Sequence, residues 1–297
     1  MPAAGTAMPT RTTAITATHT TMNMVTTISM GTGTAMTMTT DALSAEQFQR
    51  LATWFSPSFP IGGYSYSHGL EAAFEAGLVA DRAGLIDWLE GLLAFGSARN
   101  DAILFVEAYR AYPDITEVAE VAAALSPSAE LRAETLNQGQ AFLRAVGQGW
   151  PDLLKQNATD PRKAEGLSGA SCSLELSPEG DPGSSPAARP GIEALMEQEM
   201  VLSVAVGACC AAAAIPLKPS LTAYLHAFCA NIVSAGLRSL PIGQSDGVAA
   251  LAALEPAIAC AANHALASSL DDLGSSTPML DWLSATHETQ YSRLFRS

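Results

Sequence analysis

Charge is scarce in this chain of 297 residues: 15% are Asp, Glu, Lys or Arg, against about 25% in an ordinary soluble domain. Positive charge is scarcer still, with 15 Lys+Arg facing 29 Asp+Glu for a formal −14. A chain of that sign repels phosphate backbones and anionic headgroups, which excludes nucleic acid and membrane surfaces as partners. Cysteine is also sparse. The five (Cys172, Cys209, Cys210, Cys229, Cys260) are odd in number and lack C-x-x-C spacing, so they fit small core residues in a reducing cytosol better than disulfides or a structural zinc site. The longest apolar run, 201–217, is alanine-rich and ends around Pro216. It falls short of the roughly 20 strongly apolar residues of a spanning helix and reads as a buried soluble one. β-branched runs with period-two alternation are nearly absent, which leaves no strands to build a sheet.

With 48% hydrophobic residues the chain can still bury a sizeable core. The first 40 residues hold a single charge, Arg11, with 15 threonines and seven of the ten methionines. Threonine interrupts every apolar stretch there, so no secretory h-region forms, and one arginine is too few for an organelle presequence. The composition predicts a disordered extension over 1–43, or a start placed too far upstream of Met36 and Met38.

From Ser44 the apolar residues recur at helical spacing. Ser44 with Gln47 predicts a capping box opening a helix to Phe55, which Pro57 and Pro60 stop. A short helix over 68–76 closes at Gly77. Asp81 caps the next, with Leu85, Trp88, Leu89, Leu92 and Leu93 as its apolar stripe. Further helices are predicted at 98–111, 115–125, 128–148, 193–214, from Pro219, and at 246–269, the last capped by Ser245 or Asp246. Pro, Gly and Ser dominate about 156–191, which reads as a disordered insertion. The expectation is an all-α protein: a single helical bundle of about ten helices over 44–297, with wide alanine-rich faces suited to close packing.

Candidate chemistry is thin. No two of the five histidines are three or four residues apart, and His68 with Glu71, or His287 beside Glu288, makes no complete metal motif. A metal-dependent helical enzyme or small-molecule binder using His68, Glu71 and His287 stays open as the alternative. The glycines of 61–67 precede a helix and could offer amides to an anion, but no lysine follows them as a nucleotide loop requires. The plainer reading is a turn that fixes Tyr64 and Tyr66. The end of the chain places Tyr291, Leu294 and Phe295 between Arg293 and Arg296. That mixture of aromatic, arginine and apolar anchor is typical of protein interfaces, although the tail could equally pack on its own domain.

Three stretches together resemble the urease accessory protein UreF family: Ser56-Pro-Ser-Phe-Pro-Ile-Gly-Gly-Tyr-Ser-Tyr-Ser-His-Gly-Leu-Glu71, Ala230-Asn-Ile-Val-Ser-Ala-Gly-Leu-Arg-Ser-Leu-Pro-Ile-Gly-Gln244 and His287-Glu-Thr-Gln-Tyr-Ser-Arg-Leu-Phe-Arg-Ser297. The resemblance covers about 44–150 and 191–297. It implies an all-helical, cytoplasmic, non-enzymatic protein that dimerises and joins UreH (UreD in many bacteria) and the GTPase UreG. That complex delivers nickel to apo-urease, so the chain needs no cofactor of its own. The resemblance also implies partner contact for Tyr64, Tyr66, His287, Glu288, Tyr291, Arg293, Leu294, Phe295 and Arg296. Pro60, Gly62, Gly63, Arg238, Gly243 and Gln244 match as motif residues, and for Arg238 an internal role, bonding helix-end carbonyls near Pro241, stays open. The tail resembles one that orders on UreH binding.

Overall fold

The computed structural model describes residues 42–125, 129–154, 192–196, 198–279, 282–283 and 294–296. Residues 1–41 of the predicted extension and all of the predicted insertion lie outside these. Among the described residues there are eleven α-helical segments and no strand: α1 (Ala45–Trp54), α2 (Leu70–Glu75), α3 (Arg82–Phe95), α4 (Ser97–Ala111), α5 (Thr116–Ala124), α6 (Ala129–Gly149), α7 (Pro151–Leu154), α8 (Ile192–Leu195), α9 (Leu202–Ala212), α10 (Leu217–Ser239) and α11 (Gln244–Ala267). Helices from before and after the insertion share one core. α4 packs along α9, α6 also meets α9, and α11 lies against α10 and α3.

Local chemistry sets many of these boundaries. Ser44 Oγ accepts from the Gln47 amide while Gln47 Oε1 accepts from the Ser44 amide, which satisfies two donors that a helix start leaves free. Gln47 Nε2 also donates to the Ala214 carbonyl, pinning α1 to the end of α9. Asp81 caps α3 by accepting from the Gly84 amide at 2.9 Å. The stripe Leu85, Trp88, Leu89, Leu92 and Leu93 is buried, and burying each such side chain is worth about 1.5–3 kcal/mol. Where α9 crosses α4, a Cβ on Gly207 would run into the Phe105 carbonyl oxygen, so only glycine permits this approach of the two backbones. Cys209 and Cys210 sit fully buried on the same helix, and burial pushes the Cys210 thiol up to about 12. Both stay protonated packing residues.

Tertiary contacts move several predicted boundaries. The helix expected over 193–214 is interrupted after Leu195. Side chains of α6 capture the chain there: Gln140 donates to the Gln198 carbonyl, Arg132 pairs with Glu199, and the Leu202 amide donates to Thr135 Oγ1. α2 begins at Leu70 rather than His68, because His68 and Gly69 have φ of 51° and 76°, outside the right-handed helical region. α10 starts two residues before Pro219, which fits in a first turn where its missing N–H costs nothing. α11 starts at Gln244, and Asp246 is its third residue rather than its cap, accepting from the Gly243 amide at 3.1 Å.

α10 and α11 are long and apolar enough to cross a membrane by length and composition. Here they pack on each other and on α3 and α4. At the far end of α11 the last-turn carbonyls are capped from α4, where Arg110 donates to the carbonyls of Leu266 at 2.6 Å and Ser268 at 3.3 Å. Opposite charges also join α3 to α11 through Arg82 and Asp246 at 3.0 Å.

Candidate functional site: a glycine loop clasping the C-terminal segment

Between α1 and α2 the chain turns sharply. Gly62 has φ of 73°, a conformation glycine adopts without steric cost, and it opens a single 3-10 turn over Gly63–Ser65. Gly63 lies directly against Asn231 of α10, where a Cβ would meet the Asn231 amide group. The turn drives Tyr64 outward to 68% exposure and Tyr66 inward to 8%. The two tyrosines fixed by this loop therefore have opposite surroundings. Tyr64 can meet a partner, whereas the buried Tyr66 ring supports the loop.

The last described residues close over this loop. The Leu294 and Phe295 amides donate to the two Glu71 carboxylate oxygens at 2.7 and 3.0 Å, and the Arg296 amide donates to the Ser65 carbonyl at 2.9 Å. Phe295 is buried, and Leu294 is left 74% exposed. Arg238, in the last turn of α10, is the third part of the assembly. Its Nε donates to the Ser234 carbonyl at 3.1 Å, and its guanidinium carbon lies 4.4 Å from the Phe295 ring centroid and 5.8 Å from that of Tyr64. Such cation–π contacts contribute about 0.5–2 kcal/mol each. The three sequence stretches thus meet in space: Tyr64 from the first, Arg238 from the second, and Phe295 from the third.

Other predicted residues fall elsewhere. Pro60 is exposed on the loop, and Gly243 and Gln244 form the exposed start of α11. His287, Glu288, Tyr291 and Arg293 lie outside the described residues. His68 and Glu71, candidates of the alternative reading, face different partners: Glu71 holds the C-terminal amides, while His68 turns to Glu134 of α6. Among the described residues no three His, Cys, Asp or Glu side chains are grouped to hold a metal ion.

His68 leads to a polar cluster the sequence reading missed. Its Nε2 meets Glu134 Oε1 at 3.1 Å, and Gln138 Nε2 donates to the same oxygen at 3.0 Å. Burial works to lower the His68 pKa, but the charge and hydrogen bond of Glu134, helped by Asp101, outweigh it and leave it raised. On α4, burial pushes the Asp101 carboxyl up to about 6, with the charge of His68 and the Ser203 and Tyr224 hydroxyls opposing that rise. The sequence did carry a signal here. Asp101 follows Ala98 and precedes Ala102 and Phe105 on a buried face, and Glu134 and Gln138 are spaced i, i+4 among apolar residues of α6.

Comparison with known proteins places these features in a family. The UreF family model matches residues 79–255, more than half of the chain. The chain is 42% identical over 269 residues to a Rhodopseudomonas palustris protein named urease accessory protein UreF, covering 87% of this chain and 98% of that one. It is 40% identical over 261 residues to the protein of the same name from Bradyrhizobium diazoefficiens, covering 86% and 94%. For the one from Mesorhizobium japonicum the figures are 39% over 261 residues, covering 87% and 100%. By the family match and by these identities over most of both chains, the chain belongs to the UreF family of urease accessory proteins.

Proposed function

We propose that this protein is a non-enzymatic, cytoplasmic scaffold that dimerises, bridges UreH (UreD) and the GTPase UreG, and takes part in GTP-dependent delivery of nickel to apo-urease. Nickel is cargo of the assembled complex in this reading, and the chain carries no cofactor of its own. The observation that carries it is the clasp of the C-terminal segment on the glycine loop. Three hydrogen bonds donated by backbone amides, two to the Glu71 carboxylate and one to the Ser65 carbonyl, and the Arg238 stack support a surface whose outermost groups, Tyr64 and Leu294, are large and exposed. Aromatic and apolar anchors beside an arginine are the pattern of residues that dominate protein interfaces. Among the described residues neither Tyr64 nor Leu294 belongs to the buried core.

Co-expression with the urease structural and accessory proteins tests the reading. Tyr64→Ala, Leu294→Asp and deletion of residues 286–297 are each expected to leave the far-UV circular dichroism of the purified chain unchanged. Each should reduce co-purification of UreH and lower urease activation in cells. Wild-type recovery of UreH with all three variants would remove this surface from the assembly.

A further inference from the structure

Beneath the glycine loop lies a cavity of about 260 Å³, a little under the ~300 Å³ at which pockets for drug-sized ligands begin. Much of its wall is aromatic, with Phe55, Phe59, Phe142 and Phe228 among its lining. The ionisable groups on it are His68 from the loop, Asp101 from α4, Glu134 from α6 and the phenols of Tyr64 and Tyr224. No lysine or arginine is among the described residues that line it. The His68 ring has its Nε2 on Glu134, but its Nδ1 is buried without a hydrogen-bond partner. A buried polar atom left in that state costs about 1–3 kcal/mol. His68 also holds the left-handed φ of 51°, a conformation uncommon outside glycine.

We propose that this cavity is a binding site for a small organic cation, an ammonium or guanidinium group on a short apolar stem, with the charged head between the Asp101 carboxylate and His68 Nδ1 and the stem against the phenylalanine rings. When His68 is neutral and its Nε2–H donates to Glu134, Nδ1 presents a lone pair, which is what a cationic N–H donor needs. An anion would enter facing Asp101 and Glu134 and be repelled. A hydrocarbon would leave His68 Nδ1 without a hydrogen-bond partner and bring no charge to face the Asp101 carboxylate. A bare metal ion lacks a ligand set among the described residues. The aromatic wall supplies the cation–π surface that organic cations exploit.

Occupancy is linked to protons. The bound cation favours ionised Asp101 and neutral His68, so binding releases protons from both, and affinity rises with pH. Tyr224, facing the same space from α10, is held protonated by burial and takes no part. The inference is independent of the accessory role proposed above.

The test is isothermal titration calorimetry of the full chain with n-butylguanidinium and n-butylammonium, against 1-butanol and butyrate as shape-matched controls. The expected result is saturable one-to-one binding of the cations, at least tenfold tighter than 1-butanol, with no butyrate binding. Asp101→Asn should weaken cation binding about tenfold or more, the size of one lost charge-assisted hydrogen bond. In the wild-type chain, affinity should climb between pH 5.5 and pH 8, a measurement that needs no variant to fold. Including Nα-acetylarginine amide separates two sources of the same group. Binding as tight as n-butylguanidinium means that a peptide-borne side chain fits, and binding of the free cations alone means a small molecule. Butanol bound as tightly as the cations, preference for butyrate, binding unchanged in a folded Asp101→Asn chain, affinity flat or falling with pH, or no saturable binding at all would each overturn the proposal.

Discussion

Replacing Glu71 by Gln perturbs the clasp at the side chain that accepts from both of its C-terminal amides. The shape of the buried side chain is preserved, but an amide offers one acceptor oxygen where the carboxylate offers two. Of the two N–H groups now bonded at 2.7 and 3.0 Å, one must face the NH₂ group of the new side chain. Hydrogen bonds to a charged partner contribute about 1.5–3 kcal/mol each, and neutral ones about 1. Losing one outright and the charge assistance of the other costs the closed segment about 2–5 kcal/mol. The local opening equilibrium should therefore rise by more than an order of magnitude. Amide hydrogen exchange of Leu294 and Phe295, followed by NMR on ¹⁵N-labelled protein, reads this directly, because the closed form protects both amides. Amides in the middle of α4 and α9 should exchange as in the parent, since Glu71 belongs to neither helix. Unchanged protection at Leu294 and Phe295 would show that the two bonds do not hold the segment. Equal deprotection of α4 and α9 would show that Glu71 supports the core rather than the clasp.

Three further expectations concern the body of the protein. Gly207→Ala inserts a methyl group into the Phe105 carbonyl at the α4–α9 crossing. It should destabilise the fold by about 1–3 kcal/mol or more, seen as a lower urea midpoint, and a neutral result would mean the crossing is looser than described. Ser44→Ala removes the cap of α1 and should cost about 1 kcal/mol; an unchanged thermal midpoint would count against the capping box. Asp101→Asn has a predicted sign as well as a size. Folding raises this carboxyl from its ordinary 3.8 to about 6, so the native state binds a proton more tightly than the unfolded chain. Stability is lost as pH climbs from about 4 to about 6. The Asn variant escapes that loss and should exceed the parent by at most about 3 kcal/mol at pH 7, with the gap closing near pH 3. Urea titrations across this range check it, and a variant less stable than the parent at pH 7 would contradict the burial argument. The same substitution should weaken cation binding, so the buried carboxylate costs stability in the empty protein and contributes when the cavity is filled.

The helical class was legible because its causes are local. Period-3.6 apolar spacing, Ser44 with Gln47, and Asp81 ahead of its stripe act within one or two turns, and those helices formed where their sequences placed them. Boundaries failed where a distant element captured the chain. Glu199 and Leu202 are tied to α6 across about 67 residues of sequence, and His68 is held by Glu134. No local pattern contains such a partner. Likewise the i, i+3 spacing of His68 and Glu71 made no complete metal motif, and it gave no sign that the carboxylate would hold the C-terminal amides while the imidazole turned to Glu134.

By itself, then, the sequence determined that this is an acidic, all-helical protein without strands, and its three motifs carried the resemblance to the UreF family. Those properties follow from composition and from interactions between near neighbours along the chain. Only the tertiary structure decided that Glu71 holds the amides of residues 294 and 295, more than 220 positions away. It also decided that Tyr64 is exposed while Tyr66 is buried, and that Asp101, Glu134 and His68 line one cavity. Each of those outcomes depends on which helices pack together, and hydrophobic burial, which drives that packing, is not directional enough to be read from any one segment.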